Sequence, residues 1–506
     1  MARVFIAVAL AVATSAIALA TFDYALVAMQ ADLGFSADAG NAAMLVPATA
    51  SLIIVFAAGV LGDRLGRRRV MIASAMVFVA GTIVAATAQS LAQVVVGRVL
   101  EGAAGAALAI TALAVLSAAF TSGRSRAMAF GAFSAIMPAV FIFAPIMGSA
   151  LEQASSWRSI PLLSGVVGLL ALIAVAILLP ADHRQGRAEV ITPLLAGVTL
   201  CCLAGAAGAL MVAPVAVAVV LAIIALLAGL ALVMALRRMP TPSLDLGILR
   251  VRGGSPALLA LALANAANLL FFTTLLLQYL VGLDPFDTAL AMVPVQVAAT
   301  AGGLVGGWII THLGVVRAGV TTLTATAIAS IGVLLVTAGS PTWVILVVAS
   351  VYAFAGLTST APLSQRVMDL APAEHQGTGS AFRTGAAALG AAVGGVVVAA
   401  IAFGMFQSSF AGGLEDRGFT ADRAEQVATE VRHTASLSGL SPKPLGIPAR
   451  EVGAVERRDA PALRDAEVTG YRAVGIAAAV SNALAALVLL GSAGAGWRRA
   501  RRAAAA

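Results

Sequence analysis

The sequence predicts an all-α polytopic membrane protein of about fourteen transmembrane helices, and three observations carry that prediction. First, 60% of the 506 residues are hydrophobic and only 11% charged, with a mean hydropathy of +1.00. Soluble domains are far more polar than this. Second, apolar runs of about 20 residues, long enough to cross a bilayer, recur roughly fourteen times. Third, arginines collect in alternate connections, as expected when charged loops fix topology. Gly 50 and only 5% aromatics suit closely packed membrane helices.

Composition also excludes several functions. The net charge of +8 is spread between apolar runs, so it reads as topology information and not as a nucleic-acid surface. Cys201 and Cys202 are adjacent in one apolar run, which argues against a disulfide framework or a cysteine metal site. His183, His312, His375 and His433 show no ligand spacing, so no metal is expected. The only lysine, Lys443, lies between two prolines; without a GxxxxGK loop the chain has no means of driving transport with ATP. No His/Cys/Ser constellation qualifies as a catalytic set, so the chain is not expected to be an enzyme.

The first span covers about 4–29. Arg3 and Ala18-Leu-Ala20 imitate a cleavable signal peptide, but the apolar run continues past the apparent site and is expected to stay as a span. Span two, about 40–62, leads into Gly59-Val-Leu-Gly-Asp-Arg-Leu-Gly-Arg-Arg-Arg-Val70 before span three at about 69–90. One acid and four arginines cannot enter the hydrocarbon, so this is a tight turn at the membrane surface. Gly59, Gly62 and Gly66 remove side chains where helices approach closely, and Asp63 can pair with an arginine or cap a helix. Arg64, Arg67 and Arg68 supply positive charge there. The stretch resembles the signature loop between helices 2 and 3 of major facilitator superfamily transporters. That resemblance implies two six-helix bundles that rock around a central cavity, with this loop holding one state.

Spans four to six fall at about 91–119, 127–151 and 159–180, and spans seven and eight at about 191–213 and 214–236. Spans nine to thirteen occupy about 257–281, 286–311, 317–338, 341–365 and 376–406; the last is about 470–495. An internal repeat organises them. Gly307-Trp-Ile-Ile-Thr-His-Leu-Gly-Val-Val-Arg317 aligns with Gly59 to Arg69, with Thr311 in place of Asp63. The major facilitator fold then divides into an N-terminal bundle at 1–180, two linker helices and cytoplasmic connections at 181–256, and a C-terminal bundle at 257–506. With the N-terminus in the cytoplasm, the arginine-rich connections fall inside, and both termini are expected to be cytoplasmic. The mixed-charge segment 407–468 becomes external: a solvated cap or flexible loop, or else a site for a partner.

Polar groups inside spans demand reasons. In span four, Arg98 and Glu101 share a helical face and resemble the family's R-x-x-Q-G-x-G motif, whose arginine is implicated in proton coupling. Asp23, near the outer end of span one, is a second candidate proton carrier with Glu101. Alternatives are a packing ion pair for Arg98 and Glu101, and an interfacial position for Asp23. The family's usual first-helix aspartate aligns with Ala18, so its carboxylate cannot be carried over to Asp23. Pro145 and Gly148 resemble the antiporter signature GPxxGG, and equally suit a structural kink; Ser156-Trp-Arg158 follows as a second family element. Asn265, Asn268, Phe272 and Gln278 of span nine, with Gln296 of span ten, suit a cavity wall for an amphipathic molecule, or interhelical hydrogen bonding. Arg366, Glu374, His375 and Arg383 read as an inner turn, not as a substrate site.

The resemblance to fourteen-helix drug:proton antiporters implies efflux of lipophilic, cationic drugs or toxic compounds across the cytoplasmic membrane by alternating access. Its partners would be a small-molecule substrate, protons and the lipid bilayer, with no cofactor beyond the proton gradient. Export of an endogenous lipid, siderophore or secondary metabolite is the alternative within the same fold.

Overall fold

A computed structural model describes residues 1–35, 37–121, 123–180, 189–212, 215–239, 243–283, 285–416, 418–427 and 455–504. Among them, fourteen helices are long and apolar enough to cross a membrane. In chain order they are α1 (Ala2–Thr21), α2 (Leu45–Leu65), α3 (Arg67–Ala86), α4 (Leu91–Ala119), α5 (Gly123–Gly148), α6 (Ser159–Leu178) and α7 (Ile191–Leu210). Then follow α8 (Val215–Arg238), α9 (Gly254–Leu276), α10 (Val293–Leu313), α11 (Val315–Leu335), α12 (Thr342–Leu370), α13 (Ala373–Glu415) and α14 (Pro461–Ser492).

Helices α1 to α6 pack on one another, and α9 to α14 form a second bundle. Each has an apolar centre: Phe78, Leu108 and Phe130 in the first, Leu269, Leu277 and Ile345 in the second. Two seams join the bundles, α2 with α13 and α5 with α10. Both depend on glycine. A Cβ at Gly59 would stand 2.5 Å from the Gly377 carbonyl oxygen, and one at Gly131 would stand 2.7 Å from the Gly307 Cα. Gly59 and Gly307 are the residues matched by the internal repeat, so one sequence motif serves each seam.

Helix α7 lies against both α2 and α13, whereas α8 turns an apolar face outward through Val219, Val220, Leu226 and Leu227. The start of α7 is stapled to the segment after α8. Glu189 accepts hydrogen bonds from the Thr192 N–H at 2.7 Å, the Thr192 hydroxyl at 2.6 Å and the Ser243 N–H at 3.3 Å. Burial alone would raise its pKa, but these donors outweigh it and hold the carboxyl below its ordinary value.

Three details depart from the sequence reading. Span one does not run straight to about residue 29: a tight 3-10 turn at Phe22–Ala25 separates α1 from a short helix at Leu26–Leu33. Span nine is interrupted between Ala264 and Leu269, where the amides compete with helical backbone bonding. The polar segment 407–468 is not simply a loop. Helix continues from α13 as far as Glu415, is present again over 421–427 and from Val455 onward, and Phe410 and Leu414 pack with Ala424, Ala462 and Ala466. Residues 428–454 lie outside the described residues.

Candidate functional site

The α2–α3 turn meets the start of α13 across the bundle boundary. Its sharpness comes from Gly66, whose φ of 101° is rarely adopted by L side chains. The α-helix of α13 begins at Gln376, and its first N–H groups have no partner within the helix. Asp63 supplies one from the other bundle. Its Oδ1 accepts the Gly377 N–H at 2.8 Å, and Oδ2 accepts the Thr378 N–H at 2.8 Å and the Thr378 hydroxyl at 3.1 Å. The buried carboxylate is thus an N-cap delivered in trans, favoured also by the helix dipole. Arg67 pairs with Asp63 at 3.3 Å, and Arg68 donates to the Ala176 carbonyl at 2.6 Å, tying the turn to α6. Gly62 lets α2 approach Thr111 of α4, while Arg64 lines a cavity together with Asp245, Arg250 and His375.

A second cross-bundle connection stands on the same face. Arg126 of α5 reaches Asp369 at the end of α12 at 2.8 Å. It also donates to the Ser117 and Phe120 carbonyls at 2.6 and 2.7 Å, satisfying the end of α4. The Ser117 hydroxyl donates to Gln376 Oε1 at 2.6 Å, and Gln376 Nε2 donates to the Ala371 carbonyl at 2.8 Å. Thr311, which replaces Asp63 in the repeat, bonds only locally to the Trp308 carbonyl and His312.

Within α4, Arg98 and Glu101 form a buried ion pair of 2.5 Å. The Phe22 ring lies 3.9 Å from the Arg98 guanidinium carbon, so the turn that carries Asp23 stacks on this pair. Glu101 Oε1 and Arg98 Nε are buried without hydrogen-bond partners among the described residues. The side chain of Asp23 lies outside the described residues, as does that of Pro145.

Between the bundles lies a cavity of about 430 Å³. Its apolar wall includes Leu113, Phe133, Phe141 and Leu357, and its polar groups include Gln296, Thr360 and Arg383. Of the five residues expected to line a cavity, Gln296 does so. The span-nine set is not among the residues that line this cavity. Asn265 turns its amide back onto the Leu261 carbonyl at 2.8 Å, and Asn268 caps the next helix through the Phe271 N–H at 3.3 Å. Phe272 meets Phe271 edge-on and packs on the second bundle's core, and Gln278 is half-buried in a π-helical turn at Leu277–Val281. In α5, Pro138 lines the cavity, while Gly148 is buried at the helix's far end.

Arg383 corrects the reading that assigned it to an inner turn. It stands two turns inside α13, roughly 10 Å beyond the start of the helix at 1.5 Å per residue, and that rise was available from the sequence. Sequence reasoning also missed Gln376, Gly377 and Thr378, whose only signal was a polar, glycine-spaced helix start. Arg126 is one of the arginines expected in the inner connections, and no local pattern links it to Asp369.

On the opposite face, three connections of the first bundle are joined. Asp32 accepts from Arg158 at 2.6 Å and from the Trp157 indole at 3.1 Å, and Arg158 donates to the Ala88 carbonyl at 2.9 Å. The Ser156-Trp-Arg158 element therefore acts as a clamp on that face.

Comparison with known proteins agrees with this architecture. The model of the Major Facilitator Superfamily matches residues 8–395. The chain is 29% identical over 290 residues to the puromycin resistance protein pur8 of Streptomyces alboniger, a match covering 55% of this chain and 56% of that one. It is 26% identical over 467 residues to the multidrug resistance protein Stp of Mycobacterium tuberculosis, covering 88% and 82%. With the multidrug efflux pump LfrA of Mycolicibacterium smegmatis it shares 28% identity over 268 residues, covering 50% and 51%. The match thus spans about half the length of two of these relatives and most of the third. The crystal structure of the human organic anion transporter MFSD10 superposes with a TM-score of 0.61 at 16% identity, covering 96% of this chain and 99% of that one, which is a likeness of fold. A fourteen-helix chain with two glycine-lined bundle seams, matched over most of its length by the family model, belongs to the Major Facilitator Superfamily and is a multi-pass membrane transporter, not an enzyme.

Proposed function

We propose that this transporter exports lipophilic organic compounds across the cytoplasmic membrane in exchange for protons, by alternating access of the central cavity. Glu101 carries the reading. A carboxylate inside a spanning helix, with one oxygen on Arg98 and the other without a hydrogen-bond partner among the described residues, can take up and release a proton. Asp23, on the turn that stacks against Arg98, is its proposed companion. Relatives named for puromycin resistance, multidrug resistance and multidrug efflux support export. The moving bodies are 1–180 and 257–506, with 181–256 linking them, and the arginine distribution supports cytoplasmic termini. The Asp63 and Arg126 connections would close the cytoplasmic side in this state. The family resemblance implies a cationic cargo, and the described cavity wall has no carboxylate to pair with one.

The test is substrate-triggered proton movement in proteoliposomes with an imposed proton gradient and an internal pH dye, using lipophilic compounds of both charges. Glu101→Gln and Asp23→Asn should each abolish proton coupling, while the surface control Asp422→Asn should not. Undiminished antiport in both the Glu101 and Asp23 variants would overturn the carrier assignment.

A further inference from the structure

The charge that the proposed mechanism leaves unused is Arg383. Other arginines deep in the protein are compensated: Arg98 by Glu101, Arg126 by Asp369, and Arg67 by Asp63. Arg383 belongs to none of the ion pairs among the described residues. Among the described residues a single hydrogen bond, from Nε to the Ser364 hydroxyl at 3.1 Å, orients it. Neither Nη is among the buried groups left without partners, and the space that Arg383 lines is the central cavity.

A guanidinium held about 10 Å inside a membrane protein is unfavourable without an anion. Its planar fork matches the paired oxygens of a carboxylate, sulfonate or phosphate, and the match strengthens where water is scarce. The rest of the wall is of another character. Leu113, Phe133, Phe141 and Leu357 offer an apolar surface to an aromatic or aliphatic body, while the Gln296 amide and Thr360 hydroxyl can accommodate neutral polar groups. A lipophilic cation would meet a like charge with no described carboxylate in the wall to offset it.

We propose that the cavity binds lipophilic organic anions, the acid group seated on the Arg383 fork and the apolar body against Phe133 and Phe141. This rests on the reading of the chain as an exporter that uses this cavity. Arg383 is then the residue that sets the charge class of the cargo.

Two permanently charged probes with one ring system decide it: naphthalene-2-sulfonate and 2-naphthyltrimethylammonium. Each is radiolabelled, and its movement into proteoliposomes is measured under a proton gradient for the full-length wild type, Arg383→Lys and Arg383→Gln. Thermal unfolding and size exclusion confirm that the variants fold. The expected result is transport of the sulfonate by the wild type, at least a tenfold rise in KM in Arg383→Gln, and an intermediate value in Arg383→Lys, which keeps the charge but loses the fork. Movement of the ammonium probe instead, equal in wild type and Arg383→Gln, would overturn the anion assignment and leave proton-driven export standing. Equal loss of turnover for every substrate at unchanged KM in Arg383→Gln would place the arginine in the conformational machinery and overturn the pairing. An absence of substrate-linked proton flux across the whole panel would remove the export reading and the assignment with it.

Discussion

At the scale of single residues, Asp63 does the most with the fewest atoms. One carboxylate takes three hydrogen bonds from the start of α13 and an ion pair from Arg67. Hydrogen bonds to charged groups contribute about 1.5–3 kcal/mol each where water is excluded. Asp63→Asn keeps the shape, but loses the negative charge and can accept through only one oxygen. We expect it to weaken this closed face by roughly 2 kcal/mol, which would move the balance between closed and open states about thirtyfold. A cysteine at Ser134 in the cavity wall would report this through maleimide labelling from the arginine-rich face. Labelling no faster than in the Asp63 background would show that Asp63 does not hold the seam.

At the scale of helices, the two seams reveal what the sequence made legible. Gly59 and Gly307 align in the repeat, and each proves to be where one bundle's backbone meets the other's. Periodic hydropathy located the spans because a bilayer permits little else. It could not locate the break in α9, because Asn265 and Asn268 look equally suited to a cavity wall and to bonding their own backbone. Only packing decided between them. The site was less legible than the fold for a related reason. Asp63 could be recognised from its loop, but its partners Gly377 and Thr378 lie some 300 residues on, joined by topology and not by any motif. Glycine at a seam gives a direct prediction. Adding a methyl at Gly131 drives it against the Gly307 backbone, where nothing flexible can yield. Gly131→Ala should lower stability by about 1–3 kcal/mol, the usual cost of overpacking. Thermal unfolding in detergent measures it, with Gly404→Ala, where a Cβ meets nothing, as the control.

At the scale of the whole molecule, rocking requires that each bundle move as a body while the seams exchange partners. The first bundle has a device for this on the face opposite Asp63. Asp32, Trp157, Arg158 and the Ala88 carbonyl join the connections after α1, α3 and α5. In the proposed orientation this face is external and meets the acidic side of the gradient, so the clamp must survive low pH. The Arg158 hydrogen bond, then that of Trp157, hold the Asp32 carboxyl below its ordinary value. A depressed folded-state pKa makes a contribution that is present above the unfolded value and fades only as pH falls through the lower, folded one. The clamp should therefore remain intact at pH 5, whereas the proposed proton carriers lie deeper in the bundle. Hydrogen exchange at the segments around Asp32 and Trp157 tests this. After correction for intrinsic rates, wild-type protection should be the same at pH 7 and pH 5, and Asp32→Asn should lose it at both. Wild-type protection that disappears at pH 5 would mean that Asp32 titrates within the working range, and the outer clamp would then be part of the proton response instead of the rigid frame around it.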